Sequence, residues 1–299
     1  MATSVVGRMA FIPISALNDP RVAPYANLRD AELAQRRDPL DPDAHAGLFV
    51  AEGELVLDRL IRSEFVTDSV LLMPGRIESL MPRLSELPPE TPMYVAEPEV
   101  FNQIVGFNMH RGVLAIGRRR EHWPLERLSG LPGPLVILED LVNHDNLGGI
   151  FRNAAGLGGL GVGVLLSPRC ADPLYRKSLR VSMGHVLSVP FGRTGDGSWP
   201  GGAFAALHAA GWETWALTPD ASALDLQAAA AKAGSRIALV LGSEGPGLAE
   251  DTLREARRRV RIPMPPAPLA REGSIDSLNV AMAAGIGLYA LQCRSKLSF

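Results

Sequence analysis

Three short stretches of this 299-residue sequence combine polar side chains and glycine at spacings that could serve chemistry. The first, LEDLVNHDNLGGIFRNAAGLGG, spans Leu138 to Gly159 and carries Asn146, Gly148 and Arg152 as N-x-G-x-x-x-R. The second, IALVLGSEGPGL (Ile237 to Leu248), is an apolar run entering a glycine-rich loop with one carboxylate, Glu244. The third sets Ile262-Pro263-Met264 before a long loop, then Ser277-Leu278-Asn279-Val280 at the start of a small-residue helix. A guanidinium such as that of Arg152 suits forked contact with phosphate. A glycine loop leaving a buried strand offers backbone N–H groups and lets a flat ligand approach the strand's carboxyl end.

Each of these residues also has a plain structural reading. Asn146 follows a strand and opens a helix, where Asn is a common N-cap. Arg152, on that helix, reads equally as half of a surface ion pair. The GPG of the second stretch is ordinary turn punctuation, and Ser277 alone is a good N-cap. Ala281, Ala283, Ala284, Gly285 and Gly287 signal close backbone packing, either within the fold or against another subunit. Arg257, Arg258, Arg259 and Arg261 either follow phosphates or stand as cations near the negative end of a helix.

One apparent motif fails on order. Gly156, Gly158 and Gly161 satisfy G-x-G-x-x-G, the dinucleotide fingerprint. That fingerprint must leave a strand and open a helix, because the helix N-terminus receives the pyrophosphate. Here the glycines follow a helix and precede the strand from Val162 to Leu166, so they read as a C-cap and tight turn. A nicotinamide oxidoreductase is excluded on that ground.

The elements around these stretches alternate. From about residue 15 to residue 120, GLFVAEG, VTDSVLLMP, PMYVAEP and RGVLAIGRRR read as strands, separated by helical ELVLDRLIRS, RIESLMPRLSEL and EVFNQIVGF. The turn-rich EHWPLERLSGLPGP reads as a linker, residues 121–133. Alternation then restarts: LVILED, GVGVLLSP, HVLSVPF, ETWALTP, RIALVLGSEG and RVRIPM read as strands with helices between them. Continuous apolar strands separated by helices imply a parallel sheet covered on both faces, an α/β fold.

Bulk properties narrow the class. Hydrophobic residues make up 46% and charged residues 21%, as in ordinary globular proteins, and net charge is −2, so nucleic-acid binding is not announced globally. Of the 30 basic residues only Lys177, Lys232 and Lys296 are lysine. Cys170 and Cys293 form no C-x-x-C pair, which fits a reducing cytoplasm, and the six His residues show no metal-ligand spacing, so no metal is expected. MATSVVGRMAFIPISALNDP lacks an apolar core followed by a cleavage site, and VAMAAGIGLYAL falls short of the roughly 20 residues of a membrane span. A cytoplasmic protein without membrane contact is the expectation.

Taken together and in this order, the three stretches closely resemble the SpoU (TrmH-like) branch of the SPOUT RNA methyltransferases. The matching residues are Asn146, Gly148 and Arg152; Leu239, Gly242, Glu244 and Gly247; and Ile262-Pro263-Met264 with Ser277-Leu278-Asn279-Val280. ADPLYRKSLRVSMGHV, with Ser182 and Gly184, is similar to a further family segment, so the resemblance covers residues 134–299. Residues 1–120 are similar to the L30e-like RNA-binding domain that often precedes the catalytic domain, on GLFVAEG and HRGVLAIGRR. Two departures stand out: NHDN lacks the family's Asp-Pro before the first Asn, and the loop after Met264 is longer, with Pro265, Pro266 and Pro268.

The resemblance implies a parallel-sheet domain with a C-terminal trefoil knot, a homodimer, and an S-adenosylmethionine-dependent RNA methyltransferase. It implies ribose 2′-O-methylation of a structured RNA, ribosomal before transfer RNA, with a non-catalytic RNA-binding factor as the alternative. It assigns catalysis to Asn146, Arg152, Glu244, Ser277 and Asn279, and donor binding to Leu241, Gly242, Ser243, Gly247, Ile262, Met264, Ser277 and Leu278. Arg152 is expected as a phosphate clamp, because a guanidinium pKa above about 12 makes a poor base.

Overall fold

The computed structural model describes residues 4–6, 9–26, 30–35, 47–264 and 277–293. The proline-rich loop 265–276 lies outside the described residues. The chain divides into two compact units, residues 1–121 with 174–188, and residues 122–173 with 189–299.

The first unit is built on a six-stranded mixed sheet. Its strands are β1 (Ser4–Val6), β2 (Met9–Ile14), β3 (Leu48–Glu52), β4 (Thr67–Leu72), β5 (Met93–Ala96) and β6 (Val113–Arg118), in the order β1-β2-β5-β4-β6-β3. β2, β5 and β4 run parallel, whereas β6 is antiparallel to both β4 and β3. Val22, Tyr25, Val50, Leu71, Phe101, Ile104 and Leu114 form one buried cluster. Inside it the Tyr25 hydroxyl meets Ser69 Oγ at 2.8 Å, and burial raises the phenol well above its ordinary pKa. β1 and β2 lie before residue 15, where no strand was expected; Phe11 and Ile14 supply the burial that fixes β2.

The second unit is a seven-stranded sheet. Its strands are β7 (Leu135–Leu138), β8 (Gly163–Leu166), β9 (Phe191–Arg193), β10 (Glu213–Leu217), β11 (Leu224–Asp225), β12 (Ile237–Leu241) and β13 (Arg258–Arg261), ordered β11-β13-β10-β12-β7-β8-β9. Every pairing is parallel. β7, β8 and β12 are buried along their whole length, as the unbroken apolar runs imply. The chain builds outward through β8 and β9, then returns so that β12 lies beside β7, with Leu241 opposite Leu138. Such a reversal leaves a crevice at the carboxyl ends of the strands, where open α/β sheets bind ligands.

Three local readings differ from the structure. EHWPLERLSGLPGP is no bare linker: it holds the helix Leu125–Ser129, whose Leu128 is fully buried, and Trp212 Nε1 donates to Ser129 O at 2.9 Å. Its prolines masked a packed turn of helix. HVLSVPF is not one strand, because Gly184 adopts φ +82° and residues His185–Leu187 form a 3-10 turn before β9. The helix Arg176–Val181 and that turn group with the first unit, where Arg59 Nε donates to Met183 O at 2.6 Å. The glycine burst is a helix end as expected: the helix closes at Leu157, and Gly159 and Gly161 take φ of +70° and +80°.

Candidate functional site

The crevice in the second unit starts where β7 ends. Asp140 occupies the left-handed region at φ +53°, unusual for a non-glycine. Its amide donates to Ser167 Oγ at 2.8 Å, and the Ser167 hydroxyl donates to Asp140 Oδ1 at 3.0 Å. Arg169 donates to the other carboxylate oxygen, and that bond to Asp140 raises the Arg169 pKa. This bend delivers Asn143, whose side chain accepts from the amides of Asp145 and Asn146 and caps the helix His144–Leu157. Asn146 is thus not the cap. It lies in the first turn, buried, with its amide free for another partner.

That partner is Asn279, 133 residues further along the chain: its Nδ2 donates to Asn146 Oδ1 at 2.8 Å. The same Nδ2 donates to Glu244 Oε1 at 3.1 Å. Asn279 Oδ1 accepts from the amides of Ala281 and Met282 at 3.0 and 3.3 Å, so Asn279 rather than Ser277 caps the last helix, Val280–Cys293. A cap must accept from amides two or three residues ahead, which Ser277 is too early to reach. One side chain therefore caps a helix with its oxygen and joins two other segments with its nitrogen.

Beside this line of three side chains opens a cavity of about 560 Å³. Its wall includes all eight residues expected for donor binding, Leu241, Gly242, Ser243, Gly247, Ile262, Met264, Ser277 and Leu278, together with Glu244 and Asn279. Leu217, Pro219, Leu248 and Val280 add apolar surface, and Glu244 is the only ionisable side chain on the wall among the described residues. The glycines of the loop are required by space at one position and by backbone conformation at two. A Cβ on Gly242 would stand 2.2 Å from the Gly247 carbonyl carbon, and Gly245 and Gly247 adopt φ of +97° and +72°. Gly242 is thus fixed by space, and Gly245 and Gly247, which have open space around them, by their left-handed backbone.

Arg152 is placed differently. It lies six residues beyond Asn146, about 120° round the helix, is exposed, and does not line the cavity. It makes no ion pair among the described residues, so the surface-pair reading does not describe it. Arg258, in contrast, pairs with Glu213, and Arg261 donates to Ala223 O; these residues lie on β13, directly after the helix Glu250–Glu255, and Arg259 donates to Leu253 O in that helix's last turn, as the helix-end reading expects.

Sequence reasoning missed several positioning residues. Glu139 is buried at the end of β7; its Oε1 accepts from Trp199 Nε1 at 2.8 Å and Thr252 Oγ1 at 2.5 Å, and its Oε2 from the Ala249 amide at 2.9 Å. It thereby pins the far end of the glycine loop. The carboxylate that directly closes the apolar run LVIL, ahead of Asp140, was the available signal. Asn153, seven residues after Asn146 and on the same helical face, donates to Ala281 O at 2.6 Å. The small-residue stripe packs within the fold there: a Cβ on Gly149 would meet Ala281 at 3.0 Å, and one on Gly285 would meet Asn153. The other face of the last helix leaves Met282, Ile286 and Tyr289 exposed. Among the described residues no helix is long and apolar enough to cross a membrane, and no cluster of potential metal ligands occurs.

Comparison with known proteins gives the family. Residues 133–289 match the model of the SpoU rRNA Methylase family. An uncharacterised tRNA/rRNA methyltransferase of Mycobacterium bovis is 39% identical over 275 residues, covering 91% of this chain and 88% of the relative. The 23S rRNA (guanosine-2′-O-)-methyltransferase RlmB of Ralstonia nicotianae is 30% identical over 212 residues, 66% of this chain and 75% of that protein. Among solved structures, an AdoMet-bound rRNA methyltransferase from Sinorhizobium meliloti superposes with a TM-score of 0.71 at 24% identity, over 98% of this chain and 100% of that one. The chain belongs to the SpoU rRNA methylase family, a family of RNA methyltransferases.

Proposed function

We propose that this chain transfers a methyl group from S-adenosylmethionine to a ribose 2′-hydroxyl of a structured RNA, ribosomal RNA before transfer RNA. The observation that carries the reading is the hydrogen-bonded line Asn146–Asn279–Glu244 at the rim of the cavity. It draws together three segments far apart in sequence, which a plain turn or cap does not need. The 2′-hydroxyl is favoured by the name of the Ralstonia relative, which acts on guanosine of 23S rRNA. The wall suits the donor: Leu217, Leu241, Leu248, Ile262 and Leu278 offer apolar surface to a purine, and Gly242 admits close approach to backbone groups.

When bound, S-adenosylmethionine supplies a methyl group already activated on a sulfonium. The protein's share is to align the acceptor and to receive its proton. Arg152, exposed and without an ion pair among the described residues, clamps an RNA phosphate; its guanidinium is too basic to take the proton. Glu244 is the carboxylate placed to receive it, directly or through water. Asn279 orients Glu244, and Asn146 fixes Asn279. Residues 1–120 serve as an L30e-like RNA-binding domain, and the C-terminal segment passes through a trefoil knot. The protein works as a homodimer without metal, and the exposed Met282, Ile286 and Tyr289 give the second copy an apolar face to cover.

Arg152→Ala tests the assignment. Methyl transfer to total RNA, followed with labelled donor, is expected to fall about 100-fold, while calorimetry finds donor binding unchanged. Equal loss of both overturns the clamp role. A wild-type protein that binds RNA but not S-adenosylmethionine is the non-catalytic RNA-binding factor instead.

A further inference from the structure

We propose that a second cavity, at the carboxyl end of β3 in the first unit, is a phosphate-binding pocket for RNA built by Arg76, Arg111 and Arg180 around the buried carboxylate of Glu52. The inference rests on the reading above that RNA is the substrate. The cavity measures about 320 Å³, and besides these four residues its wall includes Gly53 and Glu54.

Glu52 is 8% exposed, yet three guanidiniums face it without closing on it. Arg111 Nη1 stands 4.0 Å from Glu52 Oε1, and Arg176 Nε and Arg180 Nη1 each stand 3.9 Å from Oε2. Those separations are too long for hydrogen bonds. The carboxylate acts as an internal counter-ion that gathers cations which would otherwise repel one another, while leaving their N–H forks unspent. Arg111 and Arg180 line the cavity and remain 52% and 45% exposed, so solvent and ligand can reach them. Arg76 is committed to Glu54 at 3.2 Å and to His110 O at 3.3 Å. On the wall, three guanidiniums against two carboxylates leave a local surplus of positive charge.

The backbone adds to this. The helix Glu54–Ile61 opens on the cavity with Gly53 at its cap position, and no side chain accepts from its first amides. Gly53 adopts φ +91°, and a Cβ there would meet Arg111 Cδ at 3.0 Å, so the opening is kept clear by the residue type. Free amides at a helix start and forked guanidiniums both favour a phosphate oxygen.

Arg111→Gln, Arg180→Gln and the double variant of the full chain test this, with a fluorescein-labelled hairpin RNA titrated over a range of salt. Each single change is expected to weaken binding about tenfold and to reduce the slope of log K against log salt by about 1, the double change by about 2. The Arg111→Lys/Arg180→Lys variant keeps both charges and is expected to keep the slope while losing affinity, which separates lost contacts from lost folding. Donor affinity and thermal melting of the same preparations report on folding. Variants that bind the hairpin with wild-type affinity and slope overturn the pocket and leave the methyltransferase reading intact. If inorganic phosphate protects the wild type but not the Gln variants against heat while hairpin binding is unaffected, the pocket serves a free anion and the RNA assignment falls. A wild type that neither binds nor methylates RNA overturns both readings.

Discussion

The two cavities follow opposite electrostatic plans. In the second unit the site at the ends of β7 and β12 is nearly uncharged among the described residues: one carboxylate, two side-chain amides, and a floor of glycine backbone. In the first unit the pocket at the end of β3 is crowded with charge: three guanidiniums and two carboxylates line it, and Arg111 and Arg180 stand 4.0 and 3.9 Å from Glu52, too far to spend their hydrogen bonds on it. Amides hold geometry without imposing charge, because each has both a donor and an acceptor that can be satisfied by a neighbour. Charge clusters attract from a distance but fix geometry loosely and respond to salt. A parallel sheet buried on both faces gives the neutral site its rigidity, whereas the mixed sheet sets its charges at an edge strand, β3.

The largest expected effect comes from putting charge where the neutral plan forbids it. Asn279→Asp preserves the cap oxygen, and Asp is as good an N-cap as Asn. It removes both Nδ2 donors. Asn146 can turn its amide to meet the new carboxylate, but Glu244, now 3.1 Å from a like charge, cannot. Donor affinity and methyl transfer are expected to fall about 100-fold with the melting temperature almost unchanged. A variant with full donor affinity would mean that the line of three is incidental to the site.

Next in size is Glu139→Gln. Three donors converge on that carboxylate, from Trp199, Thr252 and the Ala249 amide. An amide in its place points an NH₂ at one of them, leaving a buried clash at a cost of about 2 kcal/mol. Denaturant unfolding is expected to show that loss, with weaker donor binding because the glycine loop loses its far anchor. Unchanged stability would show that Glu139 is dispensable to the loop.

How much of this was legible in advance follows from the same contrast. The unbroken apolar strands of the second unit made its parallel sheet readable, and the glycine loop was legible because φ near +70° to +97° and sub-van-der-Waals clearances leave few alternatives to glycine. Asn146, Glu244, Ser277 and Asn279 were placed by resemblance, and their convergence depends on contacts over 133 and 35 residues that no local pattern encodes. The caps were misassigned because Asn143, Asn146, Ser277 and Asn279 are all competent cap residues, and only backbone geometry picks among them. Glu52 was passed over as the end of an ordinary strand: its partners Arg111, Arg176 and Arg180 lie 59 to 128 residues away.

Salt separates the two cavities directly. Donor binding in the nearly uncharged crevice is expected to change by less than about threefold between low and high salt, since among the described residues only Glu244 contributes charge to its wall. Hairpin binding is expected to weaken by orders of magnitude over the same range. Equal sensitivity of the two would erase the distinction between the sites.

The smallest expected effect concerns a neutral contact away from both cavities, on the helix Gly201–Ala209. His208 Nε2 meets Thr214 Oγ1 at 2.8 Å, and that hydroxyl already accepts from the Arg257 amide at 3.1 Å. The hydroxyl keeps its own proton to donate to Nε2, an arrangement open only to an imidazole unprotonated at that nitrogen. Burial, with Arg257 nearby, holds the His208 pKa below its ordinary value of 6.5. The unfolded chain then binds the proton more readily than the folded one, so the stability from this contact is complete above pH 6.5 and declines as pH falls through the lowered folded value. Melting curves are expected to show a shallow acid-side loss that disappears in His208→Gln, whose amide can accept from Thr214 at any pH. If the variant retains the same acid-side slope, His208 is not its source, and the preference for neutral contacts in this unit stops at the crevice.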